Sequence, residues 1–316
     1  MGLVTTILVA TATGLRRFAG DGLEGSPELE GRRVRALATE GWNRLWAIVE
    51  GHEIWRDGEG RWQRMASLDA VAGAEGLEAV CIADTRANKE GGLLLGTSKA
   101  RLLRIGENAE VEFVGGFDRA PGRDGWYTPW GGPPDTRSIS EDRQSVFVNV
   151  HVGGVLRSRD GGRSWEPTID VDADVHQVAT GEGRVYAAGA HGLSVSPDGG
   201  DTWSLHAEGL HARYCRAVAV CGKHLLLSAS DGPRGSGRAG LYRADLEGSR
   251  FERCSEGLPE WFRGNLDSGC VDALPDGKLA AFGTTEGELY STADEGGSWT
   301  RITAGLGGIA AVRVLP

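Results

Sequence analysis

The chain has 316 residues with 50 glycines against two methionines, a composition of many tight turns rather than long helices. Its formal net charge of −10 argues against a nucleic-acid-binding surface and against a role on anionic membranes. Five cysteines (Cys81, Cys215, Cys221, Cys254 and Cys270) show no C-x-x-C spacing, and an odd number cannot all pair within one chain. Reduced thiols and a cytoplasmic location follow as expectations. The apolar start MGLVTTILVATATGL has no basic segment before it, and its arginines come afterwards, so it reads as part of the fold rather than as a signal peptide. No apolar run reaches the length of a membrane span.

From the N-terminus, one unit repeats: an apolar strand, a second strand ending near glycine, a third strand, a Gly-rich turn and a short fourth strand. Residues 3–18 supply only the later strands of a first unit. Arg33–Met65 is a complete second unit, whose turn keeps Asp57 and Trp62, and Leu77–Phe113 is a third with an eroded turn. Thr136–Trp165, Val175–Trp203, Tyr214–Phe251 and Val271–Trp299 are the fourth to seventh. The closing aromatics, placed at Phe18, Trp62, Phe113, Trp165, Trp203, Phe251 and Trp299, recur at roughly 40–50 residues, a blade-sized period. The terminal GIAAVRVLP matches the opening strand that the first unit lacks, so the two chain ends should pair in one sheet. Residues 1–316 are thus expected to form a single all-β domain. Seven units is the count, and six follows if the eroded third is discounted.

Three turns carry the pattern [ST]-x-D-x-G-x-[ST]-W: Ser158–Trp165, Ser196–Trp203 and Thr292–Trp299. Asp160, Asp198 and Asp294 can accept hydrogen bonds from backbone N–H groups of their own turn. The glycine pairs Gly161–Gly162, Gly199–Gly200 and Gly296–Gly297 permit positive φ where the chain reverses. The closing tryptophans return apolar surface to the neighbouring strands. Each box is thus a staple between two outer strands, and its spacing lacks the ligand pattern of an EF-hand loop. On these residues the chain resembles the Asp-box, or bacterial neuraminidase repeat, family of β-propellers. The resemblance implies a seven-bladed propeller of four-stranded antiparallel blades. It also extends to sialidases and to photosystem II assembly-factor propellers, which differ in function.

In such a propeller the first strand of each blade lines a channel, and the loops joining successive blades share one face with those joining second and third strands. The resemblance therefore implies that residues distant in sequence meet at one channel mouth. First strands placed in register align Arg35, Glu78, Arg137, His176 and Arg216, with Tyr214 at the start of the sixth. Second-strand ends add Asn149, His151, Ser230 and Asp231, and Asn265 and Asp267 precede the seventh unit. The insertions Gly115–Asp135, Ser230–Gly240 and Gly257–Asp267 fall on the same side, the first carrying Trp126, Tyr127 and Trp130. These residues fit either a ligand site or a solvated channel lining.

Two chemistries suit the set. Arg35, Arg137 and Arg216 present guanidinium forks that match a carboxylate and imitate the sialidase arginine triad. No Arg-Ile-Pro motif precedes the first complete unit, however, and no Tyr–Glu pair is identifiable. His151 and His176, with Asp174 and Asp135 near them in the chain, are candidates for general acid–base catalysis, or for holding a divalent metal. A compact metal motif, a nucleophile elbow, a phosphate loop and any organic-cofactor motif are absent from the sequence. His191, His206, His211 and His224 read as ordinary surface or turn residues. The partner expected is a small anionic molecule held by the arginines, Asn149, Trp126, Trp130, Tyr214, Ser230, Asn265 and Asp267. The alternatives are a protein-interaction platform and a sialidase-like hydrolase. On a solvated wall, His176 should be replaceable without loss of stability.

Overall fold

The computed structural model describes residues 5–316 apart from 21, 42–43, 59, 86–91 and 235–236. Among them the strands form seven antiparallel sheets, the blades of a β-propeller. Six sheets have four strands and one has three. Among the described residues helix is confined to Gly115–Asp118 and three short 3-10 turns, and none of these is long and apolar enough to cross a membrane.

The strands divide between two compact units. One comprises Met1–Val34, Ala188–Val195 and Ser204–Pro316, the other Arg35–Ala187 and Ser196–Trp203. In the first, the chain ends share a sheet as the C-terminal pattern predicts. Ile309–Leu315 pairs antiparallel with Thr6–Thr11, which pairs in turn with Gly14–Ala19. Among the described residues this blade has no fourth strand. In its place, two isolated bridges, Leu15↔Glu28 and Phe18↔Glu24, hold a segment containing Gly22, Gly25 and Pro27. Proline lacks the donor a ladder needs, and glycine weakens a strand, so the segment stops at bridges. Phe18 consequently lies inside a third strand, not at the close of a box-like turn as its alignment predicts.

Within each unit, apolar layers lie between adjacent sheets, as inward faces of packed sheets do. In the second unit, Val146, Val148, Val150 and Leu156 pack with Leu94, Leu102, Phe117 and Trp165. Phe147 and Val155, on the opposite face of the same strands, pack with Val175, Val178 and Val185. This period-two alternation is what a strand buried on both sides requires. In the first unit, Phe282, Tyr290 and Trp299 join Leu241 and Phe262.

The three boxes share one hydrogen-bond pattern. The Ser158 hydroxyl accepts from the buried Gly162 N–H at 2.8 Å and donates to Asp160 Oδ1 at 2.9 Å. Asp160 in turn accepts from the Ser164 amide at 2.9 Å and the Ser164 hydroxyl at 2.6 Å. Asp198 receives Thr202, and Asp294 receives Ser298, in the same way. In the second unit, a third-strand arginine of the preceding blade caps the box: Arg104 donates to Gly161 O and Arg157 to Gly199 O. The third box departs from the expected glycine pair. Positive φ falls on Glu295 (55°) and Gly296 (86°), not on Gly297. Glu295 holds this uncommon conformation while its carboxylate accepts from the Lys223 amide at 3.1 Å and contacts His224 Nδ1 at 2.5 Å.

Candidate functional site

In the second unit, the strand Val146–Val150 ends in His151, and a tight reversal through Val152, Gly153 and Gly154 leads into the third strand. Val152 has φ of 54°, a genuine outlier for a β-branched residue. Gly154 also has positive φ, and a Cβ there would meet the carbonyl oxygens of Asp170 and Ile169 within 2.8 Å. The reversal is therefore pressed onto the loop entering the next blade. His151 is fixed there by its N–H to Asp135 O at 2.9 Å and by a β-bridge to Asp174. Asp174 and His176 flank Val175 at the start of the fifth sheet and, two residues apart, fall on the same side of the chain.

Three functional side chains converge as a result. His151 Nε2 lies 3.0 Å from Asp174 Oδ1, and His176 Nε2 lies 3.3 Å from the same oxygen. The two imidazole rings are 5.5 Å apart. His176 is fully buried and His151 nearly so, while Asp174 keeps partial exposure. His151 Nε2 and Asp174 Oδ1 are both screened from solvent, yet their contact lacks the alignment of a hydrogen bond. Burial pushes the Asp174 carboxyl up, but the two imidazoles against it outweigh burial and hold it well below the usual carboxylate range. Burial lowers the His151 pKa, partly opposed by Asp174, and Arg137 lowers it further.

The exposed Trp130 ring stands 5.0 Å from the His151 ring. Trp126 instead packs 5.5 Å from Phe117, beneath the Arg123 guanidinium. Arg137 sits where the register of the fourth sheet slips between Thr136 and Ser138, a bulge that re-aims a side chain. Asn149 is fully buried and part of the scaffold: its amide donates to Val175 O at 2.8 Å and its carbonyl accepts from the Ser138 hydroxyl. Asp135 supplies its backbone carbonyl to His151. Arg35 and Glu78, aligned by register, form an ion pair at 2.8 Å. The burial of His176 overturns the picture of a solvated wall at that position.

In the first unit, Tyr214, Arg216, Ser230, Asn265 and Asp267 also come together. Arg216 pairs with Asp267 and donates to Pro233 O at 3.3 Å, and its guanidinium lies 5.4 Å from the Tyr214 ring. Asn265 Nδ2 reaches Gly232 O and Pro233 O, and Ser230 Oγ reaches Tyr214 O at 3.4 Å. These residues brace the described part of the loop after Ser230. His211, read from sequence as ordinary, is instead largely enclosed: its Nδ1 meets the Tyr242 hydroxyl at 2.6 Å, and its ring lies 4.5 Å from Trp261. Those partners are 31 and 50 residues away, so only folding brings them together. Beside Trp261, a cleft of about 580 Å³ is lined by Phe262, Arg263, Glu288, Tyr290 and Arg301.

No family model matches this chain, and no curated protein matches it. Solved structures do. A GH74 xyloglucanase from Xanthomonas campestris is 17% identical with a TM-score of 0.60, over 94% of this chain and 46% of its own. The chain thus spans less than half of that enzyme. YCF48 bound to D1 peptide is 13% identical with a TM-score of 0.59, over 88% of this chain and 85% of its own. YCF48 from Cyanidioschyzon merolae is 16% identical with a TM-score of 0.58, over 87% of each chain. At these identities the likeness is one of fold: the protein is a seven-bladed β-propeller, whose structural neighbours include an enzyme and a peptide-binding protein.

Proposed function

We propose that this protein belongs with the Asp-box propellers and binds a small anionic molecule at His151, Asp174 and His176, with Arg137 as the anchoring cation and Trp130 as a cover. The observation that carries this reading is the convergence of two imidazoles and a carboxylate from neighbouring blades, next to a β-branched residue at φ of 54°. Strained backbone of this kind persists where the surroundings over-determine it, and it clusters at functional sites. In the metal-free site His151, the more accessible imidazole, is the group placed to exchange a proton with a bound molecule, and Asp174 lies against it. Five reduced cysteines, four of them buried, fit a reducing compartment such as the cytoplasm.

Chelator-treated protein titrated calorimetrically with inorganic phosphate and with small mono- and dicarboxylates tests the proposal. Saturable binding is expected, weakened at least about tenfold in His151→Gln and in Arg137→Gln, each measured well below the melting temperature of the variant. Failure of every anion to bind, or parental affinity in both variants, would overturn it.

A second reading, a peptide or protein partner, is favoured by the cleft beside Trp261. The Arg238 and Arg253 guanidiniums lie over that ring at 5.1 and 5.0 Å, and the cleft sets Arg263 and Arg301 beside Glu286 and Glu288, an aromatic surface of mixed charge suited to an apolar peptide with polar flanks. Peptide binding there would be lost in Trp261→Ala and kept in His151→Gln.

A further inference from the structure

We infer that His151 Nε2, His176 Nε2 and one Asp174 carboxylate oxygen form the protein's half of a divalent metal centre of zinc type, with the remaining positions open to water or to the anion. The inference rests on the reading of this cluster as a ligand site and names what that site holds first. Its basis is the spacing of the donors. The three ligand atoms lie within 4.8 Å of one another, with edges of 3.0 and 3.3 Å to the carboxylate oxygen. Nitrogen and oxygen donors at about 2.0–2.2 Å from a shared ion stand about 3.0 Å apart at right angles and about 3.4 Å apart in a tetrahedron. The two edges to the carboxylate oxygen match that spacing, and the third lies within 4.8 Å.

The direction of the donors agrees with their spacing. His151 Nε2 and Asp174 Oδ1 are shielded from water and in contact, but out of line for a hydrogen bond to each other. A pair that served only as a hydrogen-bonded dyad would align along that contact. Donors that address a common third point need not. The backbone enforces the arrangement: the His151↔Asp174 bridge sets the distance between the two segments, and the strained Val152 turns the chain immediately after the ligand.

Donor type selects the metal. Two imidazoles with one carboxylate suit zinc and its first-row neighbours. Calcium and magnesium call for oxygen-rich shells, and no cysteine belongs to the cluster to favour a soft ion. Three protein ligands with an open position are the arrangement of zinc sites that bind or activate a further molecule.

The experiment uses tag-free, chelator-stripped full-length protein. Co²⁺ is titrated while its visible absorption and the protein fluorescence are recorded, and Zn²⁺ is titrated calorimetrically. One ion per chain is expected, with Co²⁺ bands displaced by Zn²⁺ and fluorescence quenching that disappears in Trp130→Phe without loss of affinity. His151→Gln and Asp174→Asn should each weaken binding by at least about 100-fold. Because the native protein's own cobalt spectrum reports the ligand set, the inference does not depend on whether a variant folds. Absence of saturable Co²⁺ and Zn²⁺ binding by the native protein would overturn it, as would binding that is unchanged in both ligand variants. A phosphate titration in each metal state separates the two ideas. Phosphate binding by stripped protein that takes up no metal would sink the metal centre and leave the anion site. Tight Zn²⁺ binding with no affinity for any anion would do the reverse.

Discussion

The hydroxyl that opens each box (Ser158, Ser196 or Thr292) should matter more to stability than the aspartate that characterises it. Ser158 is 1% exposed, and its hydroxyl is the acceptor for the buried Gly162 N–H at 2.8 Å. Ser158→Ala leaves that donor enclosed with no water to replace the oxygen, which costs about 1–3 kcal/mol. Asp160 accepts from the Ser158 hydroxyl, which keeps its bond to the Gly162 amide without it, and otherwise from the amide and hydroxyl of Ser164, a residue open to solvent. Water takes over those bonds in Asp160→Ala, so its cost should be about 0.5–1 kcal/mol, below the figure that buried donors would have implied. Urea denaturation with an unchanged m-value gives both numbers, and calorimetry should show the Ser158 variant melting lower, by roughly 2–4 °C per kcal/mol. Equal losses, or a larger loss for Asp160→Ala, would refute the division of labour within the box.

Removal of residues 308–316 should strip the partner from Thr6–Thr11 and yield aggregated or unfolded protein, and a soluble truncation with the parental melting temperature would contradict the shared sheet. Asn149→Leu leaves Val175 O and the Ser138 hydroxyl without their buried partner and should cost about 1–3 kcal/mol by chemical denaturation. His176→Asn should likewise lower the melting temperature, because the ring it removes is fully buried. The Thr202 hydroxyl and amide hold Asp198 at about 2, and the bonds from Thr292 and Ser298 hold Asp294 at about 2 against burial. A depressed folded value contributes stability above the unfolded pKa of about 3.9, and this is lost as pH falls towards 2. Melting curves between pH 7 and 2 should therefore fall less steeply below pH 4 for the Asp198→Asn, Asp294→Asn double variant than for the parent.

Much of the fold was legible in the sequence because its devices are local. Within each box the opening hydroxyl, the aspartate and the glycine amide complete their hydrogen bonds inside one eight-residue stretch, so their spacing survives in the sequence as a repeated pattern. The shared sheet at the chain ends was legible for a related reason: an apolar strand without a partner at one end matches a missing strand at the other. Asp174 and His176 could be placed together from sequence, since strand residues two apart face the same way. Tertiary structure alone decided the rest. His151 reaches them through a bridge that depends on how two sheets lie side by side, and beyond the strained Val152 the chain at Gly154 runs so close to the carbonyl oxygens of residues 169 and 170 that a side chain there would not fit. Register aligned Arg35 with Glu78, but folding turned them into an ion pair, and folding drew Asn149 into the scaffold and enclosed His176 and His211. Polarity and period say which residues can line a site. Whether each one meets a ligand, a neighbour or a carbonyl depends on distances that only the packed sheets set.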